Sequence, residues 1–403
     1  MKQAILNLIL FLMMTTHPFA AEKVDPELII KKMFTEDVNR VDRFFTQAFL
    51  NQVPKKKLIE IITFYKIKLG MFKKAVAIGT GQKYTLHFER GTTVCTIYID
   101  DKSKITGIWF AGIFFKNDSL KKILVKATSI PGDISITLIK NNKELLISLA
   151  SDKAMSSASS AKLYILKKLT AQVKSGKNKW EDTLKLEDKY KSLPTGILQT
   201  WPAGSELTLR TLANLMISKS DNTASDHLLF FLGRVNVEAI SPKRIKPFIS
   251  TGELFKLKWG LNKKDRDAYI KAPLKEKRKM LKALESMKRT AIRFENKNVA
   301  VKEIEWLIST GELCQTIYEL RNNSSIAINP GLAEKSNWHL VGFKGGSEPG
   351  VLQYTHVLKK TKDGDIFALS ATLNHPSQQV DHKNFSALIQ RIISLIHSGK
   401  LDQ

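Results

Sequence analysis

The chain has 403 residues, 43% of them hydrophobic and 25% charged, with only two cysteines. Those values exclude a disordered chain, a fibrous repeat and a cysteine-built metal or disulfide scaffold, and the length suggests two domains at roughly 100–200 residues each. Lys and Arg number 64 against 38 Asp and Glu, a net charge of +26, which favours anionic partners. No finger, recognition-helix or stacking-sheet pattern supports nucleic acid, so an anionic cell-wall polymer or a merely solvated surface accounts for the charge.

The first residues read as an export signal. Lys2 precedes an apolar run from Ala4 to Met14, broken only by Asn7, and Ala20-Ala21 stand before Glu22. The run is about 11 residues, where a membrane span needs about 20. A cleaved signal peptide over 1–21, no transmembrane anchor and a periplasmic or secreted mature chain are therefore expected.

Residues 24–52 carry Ile29, Ile30, Met33, Phe34, Val38, Val41, Phe44, Phe45 and Phe49 at helical spacing, which predicts one helix there and a second over 57–69. Alternation predicts strands at 84–88, 94–99 and 105–115. Helices followed by a strand meander imply a small α+β domain over 22–122. A hairpin follows, with strands 134–139 and 145–149 around the polar turn 140–144. Helices are predicted from Ser159 to about Leu320, then strands 351–358 and 366–373 and a closing helix over 385–396. One antiparallel sheet built from both ends of a 123–403 domain, with helices on both faces, follows from that order. The fold class is thus α+β throughout. Two echoing segments, Ser250-Thr251-Gly252-Glu253-Leu254 and Ser309-Thr310-Gly311-Glu312-Leu313, fit capping boxes better than a duplicated site. Lys263 to Arg293 reads as the wet face of a helix that turns Leu281, Leu284 and Met287 inward.

Three short motifs carry chemistry. In Ser159-Ser160-Ala161-Lys162, serine and lysine three residues apart at a helix start share one face. A lysine whose pKa is depressed by burial and a neighbouring cation can take the serine's proton. In Ser220-Asp221-Asn222, the serine can relay a proton and the asparagine can brace the lysine or hold a substrate carbonyl. In Lys344-Gly345-Gly346-Ser347, the glycines let a substrate lie along a strand, and an amide there can point into an oxyanion hole. No Gly-x-Ser-x-Gly elbow, His-Glu-x-x-His or metal-spaced histidine set is present, so neither a metal nor another cofactor is expected.

Ser-x-x-Lys, Ser-Asp-Asn and Lys-Gly-Gly in this order, with the flanks Leu163-Tyr164, Met216 to Ala224 and Gly342-Phe343, resemble the class A β-lactamase-related serine hydrolases. The resemblance covers about 126–403 and implies a β-lactamase/transpeptidase-like domain. It implies Ser159 as nucleophile, Lys162 as base, Ser220 as proton shuttle and Lys344 as electropositive anchor. It further implies Asn222, Gly345, Gly346 and Ser347 as substrate-binding residues, with the amides of Ser159 and Ser347 as oxyanion hole. The substrate would be a β-lactam or a related amide or ester, and the alternatives are a D,D-peptidase on cell-wall peptides or a slowly deacylating penicillin-binding sensor. The first domain is similar to the NTF2-like cone that precedes some of these hydrolases, either filled or, with Phe88 and Trp109 lining it, open to a ligand. Two departures stand out. The glutamate that would activate the deacylating water is not evident: Glu295 is a faint candidate, Glu253 belongs to a capping box, and Glu303 and Glu305 have no support. Gly345 also replaces the usual hydroxyl residue of the third motif. Both argue against fast β-lactam turnover and leave open acylation followed by slow hydrolysis, or esterase-like activity.

Overall fold

The computed structural model describes residues 25–79, 81–110, 113–288 and 292–401; the expected signal peptide lies outside them. The chain divides into two compact units, 1–117 and 118–403. The boundary expected from the sequence is five residues later, at 122/123.

In the first unit, Asp25 caps helix α1 (Pro26–Thr35), which buries Ile29, Ile30, Met33 and Phe34. The single helix expected over 24–52 is interrupted. The Asp37 side chain accepts from the Asn39 amide and opens a 3₁₀ turn over Val38–Phe44, and Thr46 caps a separate short helix, Gln47–Gln52. Asp and Thr side chains compete for backbone donors, and here local capping wins over continuous apolar periodicity. Helix α2 (Lys55–Leu69) buries Leu58, Ile62, Tyr65 and Leu69, one face of a helix. Strands β1 (Phe72–Ala77), β2 (Lys83–Phe88), β3 (Gly91–Ile99) and β4 (Ile105–Phe110) form an antiparallel meander, and Phe114–Phe115 pairs with β3. Phe88 is fully buried, edge-on to Phe34 at 5.2 Å and to Phe72 at 5.4 Å. Trp109 is 73% exposed on β4. The two therefore do not line a common cavity.

The second unit begins with α3 (Leu120–Ala127), followed by the hairpin β5 (Asp133–Lys140) and β6 (Glu144–Leu149). Strands β7 (Leu340–Glu348), β8 (Val351–Lys359) and β9 (Ile366–Asn374) complete an antiparallel sheet of order β7-β8-β9-β5-β6. Sheet construction from both ends of the domain is as expected. Alternation along the strands sorts two cores. Leu138, Leu358 and Leu369 pack with Ile123, Leu388 and Ile392 of α3 and the closing helix α8 (His382–Ser398). Val357 and Ala368 face the opposite layer, with Leu163, Leu166, Ile317 and Cys314. That layer contains α4 (Lys162–Lys174), α5 (Leu209–Ser218), α6 (Asn222–Leu232) and α7 (Thr310–Glu319). A buried bidentate pair, Asp118 with Arg391 (2.5 and 2.6 Å), ties the start of this unit to α8.

Both echoing segments form capping boxes, at Ser250/Glu253 and Ser309/Glu312. The basic stretch is two helices, Lys263–Lys271 and Leu274–Ala283, separated at Pro273, with Leu281 and Leu284 buried. Cys95 and Cys314 are both buried and free. Among the described residues no helix is long and apolar enough to cross a membrane.

Candidate active site

Ser159 lies in the 3₁₀ turn Ala158–Ala161 that leads directly into α4, with Lys162 as the first α-helical residue. Helix α4 is buried on nearly every side by Leu163, Tyr164, Ile165, Leu166 and Leu169, so Lys162 starts inside the protein, while Ser159 stays half-buried. The preceding Ala158 has φ +44°, a left-handed conformation costly for a residue with a Cβ.

Ser220 also has positive φ, +53°, at the link between α5 and α6. This link is fixed by Asp221, whose Oδ1 accepts from the Ala224 amide as the cap of α6, while Oδ2 accepts from the Ile197 and Leu198 amides. The strained turn aims Ser220 at two lysines. Lys162 Nζ donates to Ser220 Oγ (3.2 Å), Ser220 O (2.7 Å) and Asn222 Oδ1 (2.6 Å). Lys344 Nζ donates to the same hydroxyl at 3.1 Å and to Gly345 O. The structure thus brings Lys162, Ser220, Asn222 and Lys344 together from three distant segments.

Burial is the largest influence on both lysines. It pulls Lys162 down to about 7, against the upward effect of Asp226 and Asp221. It also holds Lys344 well below the usual lysine range, and Lys162 adds to that. Two ammonium groups around one hydroxyl cannot both keep full charge away from water, so a neutral amine, able to accept a proton, is available near neutral pH.

Gly346 shows how closely β7 approaches the serine turn. A Cβ there would stand 2.5 Å from Ser157 O and 2.7 Å from Ser159 N. Only a glycine fits, and the Ser159 amide and the β7 backbone therefore border the same space. Ser347, the next residue, is exposed. Gly345 has a different neighbour. Its missing Cβ position is 2.6 Å from Phe343 Cζ, and that ring rests against His356 at 4.6 Å. A hydroxyl residue at 345 is replaced here by an aromatic ring from two residues earlier.

Asn222 is 2% exposed, with Nδ2 donating to Leu193 O at 2.8 Å. Its visible task is bracing Lys162. Glu295 is solvent-exposed and paired with Lys297 at 2.8 Å. Glu253 is committed to its capping box and to Arg234 (2.6 and 2.8 Å). A small cavity beside Lys162 is walled by Ile165, Leu229, Phe248, Ile249, Ser250 and Trp306, and no carboxylate lines it. The sequence pointed to no role for Asp226, whose carboxylate accepts from the Thr251 and Gly252 amides, and left Glu305 unsupported, whose Oε2 accepts from the Ala158 amide at 3.0 Å. Neither belongs to a motif, and only the fold reveals them. His227 is structural: Nδ1 meets Thr223 O and Nε2 accepts from the Glu187 amide. Among the described residues no cluster of three His, Cys, Asp or Glu side chains is placed to hold a metal.

The profile of the beta-lactamase enzyme family matches residues 117–244. No curated protein sequence matches the chain. Among solved structures, a β-lactamase from Sphaerobacter thermophilus is 17% identical, with 70% of this chain and 98% of that one covered at a TM-score of 0.48. A β-lactamase from Francisella tularensis is 12% identical over 69% of this chain and 98% of that one, at 0.49. A structure of PBP-A is 12% identical over 68% of this chain and 95% of that one, at 0.44.

Proposed function

We propose that this chain, related to the beta-lactamase enzyme family through residues 117–244, is a serine hydrolase that transfers acyl groups through Ser159. The observation that carries the reading is the shared Ser220 hydroxyl, 3.2 Å from Lys162 Nζ and 3.1 Å from Lys344 Nζ, with Lys162 three residues after Ser159 at the start of α4.

Lys162, neutral in part near pH 7 because it is buried, takes the Ser159 proton as Oγ attacks a carbonyl carbon. The amides of Ser159 and Ser347 receive the negative charge that develops on the carbonyl oxygen. The proton then passes through Ser220 to the leaving nitrogen or oxygen. Lys344 lends positive potential to a substrate carboxylate, and the glycine pair lets the substrate lie along β7. β-Lactams and related amides or esters fit this chemistry, with export carried by the basic, apolar and small-residue pattern of positions 1–21.

A second reading is favoured by one feature. The cavity beside Lys162 is lined by apolar side chains and the hydroxyls of Ser225 and Ser250, with no carboxylate to activate water, so the acyl-enzyme is expected to persist, as in a penicillin-binding sensor or a slow D,D-peptidase.

Incubation with a fluorescent penicillin, followed by intact-mass analysis over time, tests both. A covalent adduct on Ser159 that forms in wild type and not in folded Ser159→Ala is expected. A transient adduct selects turnover and a lasting one the sensor. An unlabelled, folded wild type, or labelling that survives Ser159→Ala, overturns the assignment.

A further inference from the structure

A second group of charges lies behind the contact between the serine turn and β7. The Lys258 side chain has no exposed surface; its Nζ pairs with Glu348 Oε1 and stands 3.6 Å from Glu305 Oε1. Lys258 sits in a single π-helical turn, Lys256–Gly260, and Arg266 donates to its carbonyl at 3.0 Å. Glu305 Oε2 in turn accepts from the amides of Ala158 (3.0 Å) and Trp306 (3.1 Å). An unbroken line of polar contacts therefore runs from the last residue of β7 to the residue before Ser159. Each end lies one residue from an amide that the acyl-transfer reading uses, Ser347 at one end and Ser159 at the other.

We propose that Glu348, Lys258 and Glu305 form a buried strut that sets the separation of the Ser159 turn from the end of β7, and with it the width of the oxyanion hole. They are positioning residues, and the proposal rests on the acyl-transfer reading. Three observations support it. The turn holds Ala158 at φ +44°, a conformation that persists only where its surroundings enforce it. The strand approaches closely enough that a Cβ on Gly346 would meet Ser159 N at 2.7 Å, so a small change in spacing alters the hole. Apolar side chains of similar volume would stabilise the fold about as well as buried ions, so packing alone does not account for three charges here. The group is also suited to its place. Burial, with Glu348 nearby, pushes Glu305 up to about 8, and Glu348 is raised by burial as well. Glu305 Oε1 and Glu348 Oε2 lack a hydrogen-bond partner among the described residues, which suits one retained proton.

The test is labelling of the full chain by a fluorescent penicillin across a concentration series. Glu348→Ala should lower the limiting labelling rate on the order of 10–100-fold, less than loss of an oxyanion donor outright. The half-saturating concentration should change less than about 3-fold, because ground-state binding is untouched. Glu348→Gln keeps the length and an acceptor for Lys258 and should recover most of the rate. If Glu348→Ala does not fold, the double variant Lys258→Ala/Glu348→Ala, which removes opposite charges together, carries the same expectation. A folded variant that labels at the wild-type limiting rate, or a Gln variant as slow as the Ala variant, overturns the strut and leaves acyl transfer standing. A folded wild type that is not labelled on Ser159 overturns the acyl-transfer reading, and the strut with it.

Discussion

Asn222 holds Lys162 by a 2.6 Å hydrogen bond to Oδ1 and is itself held by Leu193 O through Nδ2. An amide oxygen accepting from Nζ favours the ammonium form. Asn222→Ala should therefore lower the lysine pKa further and leave Nζ less well aimed at Ser159. The acylation rate at its pH optimum should fall about 10–100-fold, while the acid limb of its pH profile moves to lower pH. Stopped-flow or gel-based labelling across pH 5–9 measures both.

The wild-type profile has its own sign. Only the neutral amine of Lys162 accepts a proton, and burial brings its pKa down to about 7. The acylation rate should rise with pH and pass half of its maximum near 7, rather than near the ordinary lysine value of about 10.4. A rate independent of pH between 5.5 and 8.5 (about three decades of proton activity) would remove Lys162 as the base.

Gly346→Ala puts a methyl group 2.5 Å from Ser157 O and 2.7 Å from Ser159 N, both backbone atoms that have little room to move. Overpacking of this kind costs about 1–3 kcal/mol in stability, but the limiting acylation rate should fall by about 100-fold or more. Gly345→Ser makes the contrast. Its Cβ meets the Phe343 ring first, so no gain in acylation is expected unless Phe343 is shortened as well. Comparing Gly345→Ser with Gly345→Ser/Phe343→Ala reads this directly.

Asp118→Ala removes both of the carboxylate's hydrogen bonds from Arg391, a side chain that is 9% exposed. Removing one partner of a buried pair costs about 3–5 kcal/mol. Chemical denaturation should show a loss of that size in the second unit, with labelling of Ser159 unchanged under native conditions.

The amino-acid sequence by itself determined the ends of the sheet and the three motifs. A strand such as 134–139 alternates Ile134, Ile136 and Leu138 with Ser135 and Thr137, and Ser159/Lys162 and Ser220/Asn222 lie within one turn of each other, so neighbours in the chain carry the signal. Local capping was legible too: Ser250 with Glu253 is a capping box in sequence and in structure. The tertiary structure alone decided what depends on distant pairs. Asp37 cut a helix that apolar spacing had continued. Trp109 faced solvent although its neighbours alternate, and Glu295 found Lys297 rather than the serine. Lys258, Glu305 and Glu348 lie far apart in the chain and in no motif, yet meet behind the serine turn. Burial depresses a lysine and raises a carboxyl only once the fold has removed water, and a one-dimensional pattern carries no record of that removal.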